Sequence, residues 1–386
     1  MSDLEVLFLV LALIYGWECL GWVHRGNVVF RTRFGHPWKT VHPGAILGNQ
    51  SGGIIFAHPL PPLGALLSGN QLPVSLSSDG VLVYVSSSIN PGWRPPQSGK
   101  FIRFDEIKGV EARAKQVRVN AELLLKTNSP RLARFIAGKL QRLAKLSPHE
   151  REKALVELYH SSFDTKAIEN RWQEFHKHAA SVRILCNILF AYLFLVAPAL
   201  IRLVGLKRCW LSLIIGLFAL SIATAILFRR AHKALYPQAD DERFTHFLTI
   251  LLSPPTAARA HDVLSRPLLE EFHPLAIAQV LCPETDFRRL ARLALTEVRH
   301  PALPICPNND ASAVATELRA RQRLQQTIEQ FLRKNGVDLE ELLRPSAPTD
   351  ETCQSYCPRC GNQFTTPTGQ CADCGGLPLQ PLPHGN

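Results

Sequence analysis

The sequence predicts an α+β membrane protein: three transmembrane helices, a cytoplasmic β-rich domain with a C-terminal helix, a helical cytoplasmic domain and a small β segment at the C-terminus. Three observations carry this expectation. Apolar runs of near-membrane length occur three times, strand-like alternation fills the stretch between the first and second, and the tail holds two Cys-x-x-Cys pairs. At 386 residues, 46% hydrophobic and 19% charged, the chain has room for two modest domains besides the spans. This composition excludes a disordered tail protein and a small disulfide scaffold.

A helix crossing ~30 Å of hydrocarbon needs about 20 mostly apolar residues. Residues 5–23 form the first such run, with Trp17 and Trp22 suited to the headgroup belt. A cleaved signal peptide is the competing reading, but no Lys or Arg precedes the run and no small-x-small site follows it. Residues 184–206 and 209–228, parted by Lys207 and Arg208, predict an antiparallel hairpin; a pair of buried helices in a soluble core is the alternative. Within the hairpin, Pro198 predicts a kink, Asn187 offers an interhelical hydrogen bond, and Arg202 snorkels to the interface. The spacings Ser212/Gly216 and Ala219/Ala223 permit close helix packing.

Flanking cations set the orientation. Arg25, Arg31, Arg33 and Lys39 follow the first run, whereas Asp3 and Glu5 precede it. Lys177 and Arg183 lead into the second, and Arg229, Arg230 and Lys233 leave the third. The positive-inside bias therefore places the N-terminus outside, and the larger domains and the C-terminus in the cytoplasm, of a protein integral to the cell membrane. Arg202, Lys207 and Arg208 on the external turn oppose this without reversing it. Glu18 reads as an interfacial carboxylate, with an ion or proton role as the alternative.

Residues 24–146 read as a basic β-rich domain. Val74 and Leu76, then Asp79-Gly80, then Val81, Val83 and Val85 predict a hairpin; further strands fall at Phe101–Phe104, Val110–Arg113, Val117–Val119 and Leu123–Leu125. Pro-rich loops interrupt at His58–Leu63 and Pro91–Pro96. A helix begins at Ser129 as N-cap with Pro130 in the first turn, and Leu132, Phe135, Ile136, Leu140 and Leu143 make its apolar face. Strands closed by one amphipathic C-terminal helix resemble a pleckstrin-homology-like domain over residues 72–146, in architecture and not by motif. Residues 147–183 follow as a helical stalk. It opens on a capping box, Ser147 with Glu150, and carries Ile168, Trp172, Phe175 and Ala179 toward the second span.

The charge is uneven. Of the net +11, all lies between His24 and Val182, where 22 Lys/Arg face 11 Asp/Glu; the remainder balances 21 against 21. Candidate contacts for anionic headgroups are Arg103, Lys108, Arg113, Lys115, Arg118 and Lys126. An anionic leaflet attracts such a surface by about 1 kcal/mol per nearby cation. Nucleic-acid phosphates would be attracted too, and a merely solvated face obeying the positive-inside bias is the third reading.

Residues 229–345 predict a helical cytoplasmic domain. Stripes run through Phe244, Phe247, Leu248 and Leu251, through Phe287, Leu290, Ala291 and Ala294, and along a longer helix from about Ser312 with Leu318, Leu324, Ile328, Phe331 and Leu332, ended by Gly336. They read as packed core or as a partner-facing surface. Cys282 and Cys306, with His261, His273 and His300, read as buried or capping residues, a second metal site being the alternative.

The specific chemical signal is at 353–379, where Cys357-Pro358-Arg359-Cys360-Gly361 and Cys371-Ala372-Asp373-Cys374-Gly375 set two Cys-x-x-Cys pairs ten residues apart. Each turn can place two thiolates on one ion, with Gly361 and Gly375 where a positive φ is needed and Phe364–Thr368 with Gly369 as the joining hairpin. The motif resembles a zinc ribbon with two rubredoxin-like knuckles. The resemblance implies a structural Zn2+ held by Cys357, Cys360, Cys371 and Cys374, with iron as the alternative metal and Cys353 as a spare thiol. Two disulfides would require an oxidising compartment, at odds with a cytoplasmic tail. Over the whole chain, the resemblance is to uncharacterised bacterial multi-pass membrane proteins carrying a C-terminal ribbon.

No catalytic motif survives inspection. Gly92–Lys100 has the wrong glycine spacing for a phosphate loop and is followed by Phe101; Gly48–Gly53 is no nucleophile elbow; and His149-Glu150 meets Lys153 where a second His would stand. The expectation is a non-catalytic scaffold or adaptor that presents the ribbon and the basic domain to a cytosolic protein at the bilayer. A membrane-tethered nucleic-acid binder and a membrane enzyme of unstated reaction are the alternatives.

Overall fold

The structure is a computed structural model. It describes residues 74–85, 98–300 and 310–382 apart from 128, 283, 346 and 375, together with residues 2, 4–7, 9, 10 and 13 and three short strands before residue 70. Most of the first expected span, with Trp17, Glu18 and Trp22, lies outside the described residues, as do Arg25, Arg31, Arg33, Lys39, both Pro-rich loops and Cys306.

Strands β1 (Asn27–Phe30), β2 (Ile54–Ala57) and β3 (Leu67–Gly69) form one sheet, β1 parallel and β3 antiparallel to β2. Two antiparallel three-stranded meanders follow. The first is β4 (Val74–Leu76), β5 (Gly80–Val85) and β6 (Ser98–Arg103); the second is β7 (Val110–Arg113), β8 (Gln116–Val119) and β9 (Glu122–Lys126). Their alternation puts Val81, Val83, Val117 and Val119 inward. There they meet α1 (Pro130–Lys145), whose Leu132, Ile136, Leu140 and Leu143 are buried as the 3.6-residue period requires. Ser129 caps α1 through the Leu132 N–H at 3.1 Å. Gly80 lies within β5, not in the turn itself; a Cβ there would stand 2.4 Å from the Ile102 carbonyl oxygen.

The helix α2 (Pro148–Ser162) starts on the expected reciprocal capping box of Ser147 and Glu150. Next, α3 runs unbroken from Thr165 to Val204, and α4 spans Leu206–Leu235. Among the described residues two helices, not three, are long and apolar enough to cross a membrane. In each, only 22% of the most apolar window is buried. Ile184, Ile188, Leu195, Leu203, Trp210, Ile215, Phe218, Ile222 and Ile226 all point outward, which is not how a soluble core places such helices.

Pro198 is accommodated by a π turn at Tyr192–Val196, one residue per turn wider than an α-helix, which relieves its clash with the preceding carbonyls. The link between the two helices is Gly205 alone, at φ +84°; Lys207 and Arg208 already belong to α4. Gly216 faces Tyr192, whose hydroxyl donates to the Leu213 carbonyl at 2.9 Å, while Ser212 and Ala219 face outward. Asn187 does not supply the expected interhelical hydrogen bond through Oδ1, which is buried without a partner among the described residues.

The remaining helices are α5 (Asp240–Leu252), α6 (Pro254–Ala257), α7 (Ala260–Ser265), α8 (Pro274–Leu281), α9 (Glu284–Arg299), α10 (Ala311–Lys334) and α11 (Leu339–Leu343). They share one core with the lower part of α3: Ile168, Phe175, Ala179 and Val182 lie buried with Leu264, Leu269, Ile277, Leu295 and Ile328. In α10, Ile328, Phe331 and Leu332 are buried as expected, but Leu318 is exposed.

The meanders dock on this helical body. Ser77 and Thr316 share a buried hydroxyl–hydroxyl contact of 2.9 Å, Arg319 pairs with Asp79 at 2.7 Å, and Arg323 donates to the Leu76 carbonyl. At the other end of α1, Ser129 donates to Glu270, while Arg131 and Arg171 both pair with Glu271.

Candidate metal centre

The tail folds as two small antiparallel units. Strands β10 (Ser355–Tyr356), β11 (Gln363–Phe364) and β14 (Gln380–Pro381) make one sheet; β12 (Gln370–Cys371) and β13 (Leu377–Pro378) make the other. The expected hairpin from Phe364 to Gly369 does not form, because β11 pairs back with β10 and β12 pairs forward with β13. Each Cys-x-x-Cys therefore sits in its own hairpin turn.

The turns bring the thiols together. Gly361, at φ +76°, donates its N–H to the Cys357 carbonyl at 2.9 Å. In the second turn the matching residue is Gly376, at φ +86°, donating to the Cys371 carbonyl at 2.9 Å; Gly375 lies outside the described residues. A side chain at either glycine would be strained, since L-residues rarely hold such φ.

The sulfurs of Cys357, Cys360, Cys371 and Cys374 all lie within 4.8 Å of one another, close enough to hold one metal ion. Cys357, Cys371 and Cys374 are buried and Cys360 is exposed. Cys360 and Cys371, from different pairs, stand 3.8 Å apart. A tetrahedral ion with metal–sulfur bonds of about 2.3 Å has sulfur–sulfur edges of about 3.8 Å, whereas a disulfide needs about 2.0 Å. The four thiols thus have the geometry of ligands that share an ion, and all are free.

Burial and mutual repulsion set the charge state of these thiols. Burial opposes the Cys357 thiolate, but the N–H groups of Cys360 and Arg359 outweigh it and hold its pKa below the usual thiol value. Burial, together with the neighbouring Cys357, pushes Cys360 up to about 11 and Cys374 higher still. Four thiolates packed this closely repel one another, and a divalent cation at their centre is what makes all four ionise together.

Cys353 lies outside the cluster, beside Thr349 at 3.7 Å. Among the described residues the four tail cysteines are also the one group close enough to hold an ion. His273 instead caps α8, accepting the Leu275 N–H at Nδ1, and stacks on Phe163 at 4.4 Å between ring centroids.

The candidate anion contacts are spread over both meanders. Arg113, Arg118 and Lys126 lie on neighbouring strands of the second sheet, where Arg118 is opposite Glu111, and Lys115 is in the β7–β8 turn. Arg103 ends β6, and Lys108 lies in the connection to β7. All but the half-buried Arg118 are exposed.

No local signal in the sequence marks the Ser129–Glu270 contact or the Glu271 pairs, because these residues stand a hundred or more positions apart. Comparison of the chain with family models, curated proteins and solved structures finds no match to any of them.

Proposed function

We propose that this protein is a membrane-anchored, non-catalytic scaffold that holds a cytosolic protein partner beside the bilayer. The observation that carries the reading is the four-thiolate cluster. Four sulfur ligands fill a tetrahedron and leave no position for water or substrate, so an ion there shapes the tail and does not react. Zn2+ is the ion that best fits an all-cysteine tetrahedron in a reducing compartment. With two small sheets and few buried side chains, the tail depends on that ion for its fold, as metal ribbons do.

Helices α3 and α4 cross the membrane as a hairpin with both ends in the cytoplasm. Lys177 and Arg183 at the entry, and Arg229, Arg230 and Lys233 at the exit, support that orientation. The two meanders closed by α1 support the pleckstrin-homology-like reading of residues 72–146. Their cations Arg103, Lys108, Arg113, Lys115, Arg118 and Lys126 suit anionic headgroups better than nucleic acid under this reading, since the same chain carries two helices long and apolar enough to cross a bilayer.

The test is affinity purification of the intact protein from solubilised membranes, beside the Cys360→Ser variant. A scaffold yields a cytosolic protein that accompanies the intact chain and is lost with the variant. Recovery of no partner, together with substrate turnover or salt-sensitive oligonucleotide binding, contradicts it.

A further inference from the structure

Helix α5 turns back along α4 in an antiparallel register. Arg243 donates to the Tyr236 carbonyl, the rings of His246 and His232 stand 6.2 Å apart, and the Arg229 guanidinium covers the Phe247 ring at 5.8 Å. Each step along α5 thus climbs α4 toward the membrane. Continued to its end, the register sets Ile250–Leu252 beside residues 222–226, above the Arg229-Arg230 pair that closes the third expected span. A second contact fixes the same height independently. The Cys186 thiol donates to the Ala257 carbonyl at 3.4 Å, and Cys186 is three residues past Arg183, the last cation before the second expected span. At 1.5 Å per residue the α5–α6 tip reaches roughly 5 Å beyond the flanking cations.

The composition of α5 follows that climb. Asp240, Asp241, Glu242 and Arg243 occupy its lower end; Phe247, Leu248, Ile250, Leu251 and Leu252 occupy the upper. Ile250 is buried against the core, while Leu252 is 75% exposed, and Ile222 and Ile226 on α4 are exposed too. Several of the tip's backbone donors are paired within the tip: Ser253 donates to Thr249, Ala257 to Ser253 and Ala258 to Pro254, while Pro254 and Pro255 have no N–H to place. Thr256 donates its hydroxyl to Ser253. Pairing and removal of donors in this way lower the cost of placing an irregular turn next to hydrocarbon.

We propose that the α5–α6 hairpin is a re-entrant element, its outer residues Leu248 and Leu252 covered by acyl chains of the cytoplasmic leaflet. The inference rests on the reading of α3 and α4 as membrane-crossing helices. The test places a photoreactive benzoyl-phenylalanine at Ile215, at Leu252 or at Leu318 of the intact protein in phosphatidylcholine vesicles, and identifies adducts by mass spectrometry. Ile215 is on the outward face of α4, and Leu318 is on α10, outside the spans. Acyl-chain adducts at Ile215 and Leu252, several-fold above Leu318, are expected. Adducts at Ile215 with none at Leu252, or cross-links from Leu252 to a second copy or another protein, overturn the proposal and leave the membrane reading standing. Adducts at neither position overturn both.

Discussion

Ser129, the N-cap of α1, donates its hydroxyl to the carboxyl of Glu270, 141 positions later and buried between the β-rich unit and the helical body. Burial pushes the Glu270 pKa up to about 7, against the pull of Ser129 and Arg131. The folded protein therefore favours the protonated acid more than the unfolded chain does. That contribution is complete below the ordinary value of 4.5 and is lost as pH rises through about 7. Thermal unfolding of the solubilised protein is expected to shift downward between pH 5 and 8, and Glu270→Gln is expected to flatten that slope. A shift of this size amounts to a few kcal/mol at most. An unchanged slope in the variant would show that another group titrates.

Tyr192 and Gly216 make a steric pair in the hairpin. A Cβ at Gly216 would stand 2.6 Å from the Tyr192 hydroxyl. Gly216→Ala is expected to cost about 1–3 kcal/mol through overpacking. Tyr192→Phe removes the clashing oxygen, so the double variant should cost less than the two single changes together. Tryptophan-fluorescence melting in detergent reads the cycle, and strict additivity would show that the two residues do not touch.

Ser77 and Thr316 test the docking of the meanders. The two buried hydroxyls bond to each other, and the Ser77 oxygen also accepts the Asp79 N–H at 3.2 Å. Ser77→Ala leaves the Thr316 hydroxyl and the Asp79 N–H without this partner, at about 1–3 kcal/mol, and adding Thr316→Val is expected to cost less than it does in the wild-type background. Hydrogen exchange at the Val81 and Val83 amides is the readout. Equal loosening in single and double variants would place the docking energy elsewhere.

The sequence is legible where the physics is local. Ser129, the Ser147–Glu150 box and the strands at Val110–Arg113 and Val117–Val119 follow from capping chemistry and two-residue alternation. The turns joining β7, β8 and β9 were not legible. Ala114, Asn120 and Ala121 hold φ of 51°, 52° and 67° without glycine, and Asn120 is held in place by accepting the Lys108 and Gly109 N–H groups at its side chain. The two apolar helices are legible from hydrophobicity, but the single-residue break at Gly205 is not, because the charged Lys207-Arg208 pair interrupts the apolar run while Gly205 does not. In the candidate metal centre the four cysteines are legible from spacing alone. Which strands carried them was not, since pairing of two-residue strands depends on contacts across the whole tail.

The most direct test of the account is the mass of the intact protein under non-denaturing conditions, purified from membranes in reductant without added metal. One zinc ion per chain is expected, lost on denaturation or on Cys360→Ser and retained on Cys353→Ser. A chain that carries no metal, and whose mass shows two disulfides among Cys357, Cys360, Cys371 and Cys374, would contradict the closed thiolate centre and the cytoplasmic tail together.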